Sequence, residues 1–117
     1  MDEALYRTML YDVYGELLTE KQREYFHLHY NEDLSLAEIA ASEGISRQGV
    51  WDIIRRAEET LRRMDEKTGL VKRIDTERAR LDEAAGLLAE LAARTSGRER
   101  ELTDGIAAII QELRYGI

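Results

Sequence analysis

Ser35 and Glu38 constrain this chain more than any other pair, because residues of these types three apart start a helix at a defined position. In such a capping box the serine hydroxyl takes the backbone N–H three residues on, and the glutamate takes the serine's own N–H. Leu36, Ile39 and Ala40 then recur at helical spacing and give a short helix one apolar face. Gly44 follows, the residue type best able to end a helix in the left-handed conformation. Ile45 is placed to drop between two helices, and Ser46 to cap a second one. That helix carries Val50, Ile53, Ile54, Ala57, Leu61 and Met64 along one side. Helix, glycine turn, buried aliphatic and serine cap predict a helix-turn-helix between Leu34 and Met64, the unit that presents its second helix to a nucleic-acid groove.

Two further helices precede it. Residues 2–18 read as a helix with stripes Leu5, Met9, Val13, Leu17 and Tyr6, Leu10, Tyr14, Leu18, wide enough to meet more than one neighbour. Thr19 with Gln22 is a second capping box, opening a helix from Glu20 to about Tyr30 with Tyr25, Phe26, Leu28 and Tyr30 as its apolar set. Asn31, Glu32 and Asp33 form the turn into Ser35. Residues 1–68 are thus expected to form a four-helix domain. Residues 69–117 are expected to form a helical extension. There Leu70, Ile74, Leu81, Ala84, Leu88 and Leu91 make a short heptad seam interrupted by Glu77, and Thr95-Ser96-Gly97 breaks it. Leu102, Ile106, Ile109, Ile110 and Leu113 stripe a last helix. Short isolated helices are marginal in water, so these seams need a cover. A second copy in a homodimer is favoured over a hairpin closing within one chain.

The 117 residues contain no proline and no cysteine, which suits long helices and excludes disulfides, thiolate nucleophiles and cysteine-bound metal. No apolar run reaches the roughly 20 residues of a membrane span. The acidic start, Asp2-Glu3, is unlike a signal peptide, so a soluble cytoplasmic protein is expected. His27 and His29, two apart on a helix, face different directions and make a poor metal site. Neither a phosphate loop nor a nucleophile elbow is visible, so no catalytic residue, cofactor or metal is expected. The tyrosines read as core-and-rim aromatics whose hydroxyls reach water.

Charge is uneven. The net charge is −7, and residues 1–68 hold nine Lys/Arg against fifteen Asp/Glu, whereas residues 69–117 hold eight against nine. Duplex binding draws most of its affinity from phosphate neutralisation, yet Arg47, Arg55, Arg56, Arg62 and Arg63 all fall on the second helix of the motif. On a helical wheel Gln48, Asp52, Arg55, Glu59 and Arg63 point away from its apolar side, with Arg47 and Trp51 at a border. Gln, Arg and Asp are the residue types that read adenine, guanine and cytosine edges. Arg47, Gln48, Trp51, Asp52 and Arg55 are therefore the candidate contact surface, and Arg56, Arg62 and Arg63 candidate backbone contacts. The plain alternative is a solvated face of intrahelical pairs such as Asp52 with Arg55 or Arg56. Trp51 suits packing at the border of the core or stacking on a base. Gly49 near a helix start weakens the helix by about 1 kcal/mol relative to alanine, explicable by a close backbone or phosphate approach, or by drift.

The run Leu18 to Tyr30 followed by Leu34-Ser35-Leu36-Ala37-Glu38-Ile39-Ala40 resembles region 4 of bacterial sigma factors, the helix-turn-helix that reads the upstream promoter element. Residues 10–19, Leu-Tyr-Asp-Val-Tyr-Gly-Glu-Leu-Leu-Thr, and residues 45–58, Ile-Ser-Arg-Gln-Gly-Val-Trp-Asp-Ile-Ile-Arg-Arg-Ala-Glu, resemble the YlxM family of small bacterial proteins more closely. The resemblance covers roughly residues 4–75. It departs at Gly49 and Trp51, where the family usually has alanine and tyrosine. It implies an all-α, sigma region 4-like helix-turn-helix bundle with a C-terminal helical extension, acting as a DNA-binding regulatory protein. Genes of the family commonly lie beside those of the signal recognition particle GTPase, which implies a part in that pathway or its regulation. An adaptor that contacts the particle's protein or RNA is the alternative, and the acidic charge speaks for it.

Overall fold

Asp2 opens the first helix, its carboxylate accepting the Leu5 N–H at 2.7 Å. In the computed structural model, which describes residues 1–115, α1 runs Glu3–Tyr14 and gives way to a 3-10 turn, Gly15–Leu17. The helix read through residue 18 therefore ends four residues early. Gly15 sits against the Tyr11 ring, where a Cβ would come within 3.2 Å, and Leu18 is already extended. Only part of the broad apolar surface is used: Met9, Leu10, Tyr14 and Leu18 are buried, while Leu5 and Leu17 are 45% and 68% exposed.

The remaining head helices are α2 (Glu20–Tyr30), α3 (Leu36–Glu43) and α4 (Arg47–Thr68). Both capping boxes are complete, Thr19 with Gln22 and Ser35 with Glu38. Asp33 turns the chain between α2 and α3 at φ 58, a left-handed conformation that aspartate tolerates better than most residues. Both histidines brace this corner: His27 contacts Asn31 and Glu32, and His29 Nδ1 lies 2.8 Å from the Leu34 carbonyl.

α4 packs against α1, α2 and α3 and is the axis of the head. Its Val50, Ile54, Ala57 and Leu61 are fully buried with Leu10, Tyr25, Phe26 and Ile39 from the other three helices. Tyr11 stacks on Phe26 with centroids 5.3 Å apart. Along α1 and α4 a charged network closes the rim. Arg7 Nε donates to Glu58 at 2.6 Å and its guanidinium lies 4.5 Å over the Tyr30 ring.

One turn beyond Leu61 the buried stripe of α4 carries Asp65, 8% exposed. Tyr6 and Tyr14 donate their hydroxyls to it at 2.7 and 2.9 Å, and the Val71 N–H donates at 3.0 Å. These tyrosine hydroxyls end in protein, contrary to the expectation that they reach water, and the buried Tyr25 directs its own toward Glu43. Burial alone would raise the Asp65 pKa; the Val71 N–H and the two hydroxyls overcome it and hold the carboxyl below its ordinary value. Burial and the same bond push Tyr6 up to about 12.

The chain divides into two units, Met1–Val71 and Lys72–Ile117; residues 116 and 117 of the expected extension lie outside the described residues. In the second unit α5 (Leu70–Ala93), from Lys72 on, and α6 (Gly97–Tyr115) form an antiparallel hairpin. Arg114 bonds Asp82 at 2.9 Å, and Arg100 donates to the Ala92 carbonyl at 3.0 Å. The break falls at residues 94–96, one residue ahead of the Thr95-Ser96-Gly97 reading, and Gly97 at φ 63 opens α6. Ile74, Leu81, Ala84 and Leu88 of the α5 seam are half-buried, and Ile74 and Leu81 share a cleft of about 450 Å³ with Leu113 of α6. The α5 seam is thus covered in part by its own chain, the hairpin alternative to a second copy. Among the described residues no helix is long and apolar enough to cross a membrane.

Replacing Asp65 with alanine leaves the Tyr6 hydroxyl and the Val71 N–H without an acceptor, while Tyr14 keeps its bond to Thr68, and should cost about 3 kcal/mol or more, read as a fall in the urea midpoint. Tyr6→Phe, which removes a single bond, should cost about 1 kcal/mol. An Asp65→Ala midpoint equal to wild type would show that water fills the place of the carboxylate.

Asp65 and Glu58 are both held below their ordinary values, Glu58 because its bonds to Arg7 and Arg62 outweigh its burial. The unfolded chain therefore takes up protons first as the pH drops past about 4. Stability is full above that point and falls as the pH descends through the lowered folded values. Urea midpoints at a series of pH values should show this slope, and Asp65→Asn should flatten it.

Candidate nucleic-acid interface

The turn between α3 and α4 is built by three residues. Gly44 takes φ 70 and returns its N–H to the Ala40 carbonyl. Ser46 then caps α4, accepting the Gly49 N–H at 3.0 Å. Ile45 between them is 38% exposed. It lies beside the first turn of α4, where a Cβ on Gly49 would stand 3.7 Å from its Cδ1, and is not enclosed between the helices as expected. At the third position of α4, Gly49 faces its own cap: a Cβ there would stand 3.2 Å from the Ser46 hydroxyl.

With Val50, Ile54, Ala57, Leu61 and Asp65 turned inward, the opposite face of α4 is open along about 33 Å. Arg47 and Gln48 are exposed in its first turn, and Trp51 is 37% exposed one turn on. Gln48 Nε2 donates to Asp52 at 3.1 Å. Arg55 holds Glu59 at 2.7 Å and lies 3.9 Å from Asp52. Gln48, Asp52, Arg55 and Glu59 therefore form one polar ladder, as the reading of a solvated, paired face described. These pairs are exposed and worth little individually, so a ligand can replace them at small cost.

The arginines divide into two kinds. Arg62 is braced: it donates to Glu58 at 3.1 Å, bonds Glu3 of α1 and lies 5.1 Å over the Tyr6 ring. Among the described residues Arg47, Arg56 and Arg63 have no carboxylate partner, and neither has Lys67. Arg56, Arg63 and Lys67 recur at steps of seven and four, so they share one stripe of α4 with Thr60 between them; Thr60, Arg63, Met64 and Lys67 line one shallow depression. Lys67 was missed in the sequence reading, although this spacing was available to it.

The model of the UPF0122 family, described as "Putative helix-turn-helix protein, YlxM / p13 like", matches residues 1–96. A UPF0122 protein of Thermoanaerobacter sp. (strain X514) is 45% identical over 112 residues, covering 96% of this chain and 91% of its own. Another, from Desulforamulus reducens, is 42% identical over 109 residues and covers 93% of each chain. One from Clostridium perfringens (strain 13 / Type A) is 48% identical over 91 residues, 78% of this chain and 79% of its own.

Gly49→Ala should raise the thermal midpoint, with a gain below about 1 kcal/mol, because alanine favours the helix and the exposed Ser46 hydroxyl can yield a few tenths of an ångström. A lowered midpoint would show that the cap is displaced instead.

Proposed function

The chain belongs to the UPF0122 family of YlxM/p13-like helix-turn-helix proteins, and from that membership we propose that it is a sequence-selective DNA-binding regulatory protein. The observation that carries this reading is the open face of α4, presented by the Gly44 turn, with Arg47, Gln48 and Trp51 exposed at the end that enters a major groove. Gln48, Asp52 and Arg55 supply base-reading groups once their mutual pairing is exchanged for base edges. Arg56 and Arg63 meet phosphates, joined by Lys67. Arg62 is the least free of the basic set, and its reach to a phosphate requires release from Glu3 or Glu58. A homodimer sets two such helices about one DNA turn apart, roughly 34 Å, on a short palindrome. The resemblance to the YlxM family supports a place in, or control over, the signal recognition particle pathway.

The net charge of −7 favours a second reading, an adaptor for the particle's protein or RNA, since an acidic body repels a duplex at long range. Selection from random DNA and from cellular RNA with the same sample separates the two. On the DNA reading an enriched duplex site emerges, with affinity falling steeply above about 50 mM salt. Enrichment of RNA alone, or retention by the particle's components with no DNA site, favours the adaptor.

Against an enriched site, Arg56→Ala and Arg63→Ala should weaken all sequences alike and lower the salt slope by about 1 each, leaving thermal stability unchanged. Gln48→Ala should relax base preference. Arg62→Ala should instead lower the thermal midpoint, because it opens the α1–α4 rim. Anisotropy titrations and melting curves on the four variants check this partition.

A further inference from the structure

The α6 helix leaves a complete heptad seam uncovered. Leu102, Ile106, Ile109 and Leu113 follow steps of four, three and four, the spacing of alternating core positions in a coiled coil. All four are about half exposed, at 50%, 47%, 58% and 54%. The side of α6 turned to α5 is marked by buried Thr103 and half-buried Ile110 and Arg114; of the seam only Leu113 borders it, sharing the cleft with Ile74 and Leu81 while still 54% exposed. The register set by Arg114–Asp82 and Arg100–Ala92 brings Leu87 and Leu91 of α5, 62% and 48% exposed, to the level of Ile106 and Leu102.

We propose that this seam is the surface through which two copies of the chain associate, α6 against α6; the proposal rests on the homodimer in the functional reading above and names its interface. Two observations select a second copy over another partner. The six exposed aliphatics leave on the order of 500 Å² of apolar surface per copy, so a symmetric pair removes about 1,000 Å² from water, the threshold of a specific interface. Charge points the same way. The surplus acid of this chain lies in residues 1–68, whereas residues 69–117 are almost balanced. On α6 the flanking arginines are consumed locally, Arg98 by Glu101 and Arg100 by Asp104. The hairpin is thus the part of an acidic protein that approaches its own copy without repulsion, and among the described residues every arginine of α6 is already paired with a carboxylate. Leucine and isoleucine knobs in four successive layers fit their own holes.

Sedimentation of the full-length protein, free of nucleic acid, from about 1 to about 100 µM tests this. A concentration-dependent dimer is expected. Ile106→Glu/Ile109→Glu should raise the dimer dissociation constant more than 100-fold while circular dichroism keeps its helical signal, since both side chains project from the hairpin. Leu17→Glu, an equally exposed position in the head, should leave the dimer intact. Wild-type protein that remains monomeric at about 100 µM leaves the seam to another protein's helix and overturns the proposal. So does a dimer that survives the double substitution. A dimer lost with half-site DNA binding retained supports this inference alone, and a dimer kept without DNA binding counts only against the DNA reading.

Discussion

The carboxylate of Asp65 is where the helical head is tied together. It is a group that only accepts, held out of water at the end of α4 and met by three donors from two other parts of the chain. Two of those donors lie on α1, two turns apart, so the bond pair fixes both the rotation and the height of α1 against α4. The third is the backbone of Val71, whose side chain is itself fully buried. A buried carboxylate is tolerable only when its lone pairs are used, and here the donors depress its pKa in spite of burial. An aliphatic residue at this position would extend the apolar stripe but would leave the Tyr6 hydroxyl and the Val71 N–H without an acceptor, with only Tyr14 keeping a partner in Thr68.

The same economy of charge runs through α4. Its inward half carries aliphatics ending in one satisfied carboxylate. Its flank carries Glu58, shared by Arg7 and Arg62, which closes the rim over α1. Only the far side keeps cations without partners among the described residues, and these lie beside a ladder of weak, exposed pairs. A rigid helix whose outward charges are either free or cheaply exchanged suits a polyanionic ligand better than the chain's overall charge implies. Net charge averages over a body whose acid and base are separated by helix face.

Much of the head was legible in the sequence. Both capping boxes, the Gly44 turn and the Ser46 cap are local chemistry, settled within four residues, and all stand where the pattern of side chains put them. The polar face of α4 was likewise legible from periodicity. The end of α1 was not: its apolar pattern continues through Leu18, whereas the chain tightens into a 3-10 turn at Gly15 and is extended at Leu18. Apolar periodicity alone does not register that change.

The capped starts of α2, α3 and α4 and the polar face of α4 therefore follow from the sequence alone, because capping and the 3.6-residue repeat act between near neighbours. Tertiary structure alone decided which apolar stripe each helix buries and which charged groups find partners. It placed Leu5 and Leu17 outside, set Asp65 beneath two tyrosines some fifty residues away in the chain, and braced Arg62 while leaving Arg56 and Arg63 free. It also closed α6 onto α5 through Thr103 and Ile110, leaving the heptad seam of α6 open. Two stripes on one helix have similar hydrophobicity, and only the geometry of the neighbouring helix chooses between them.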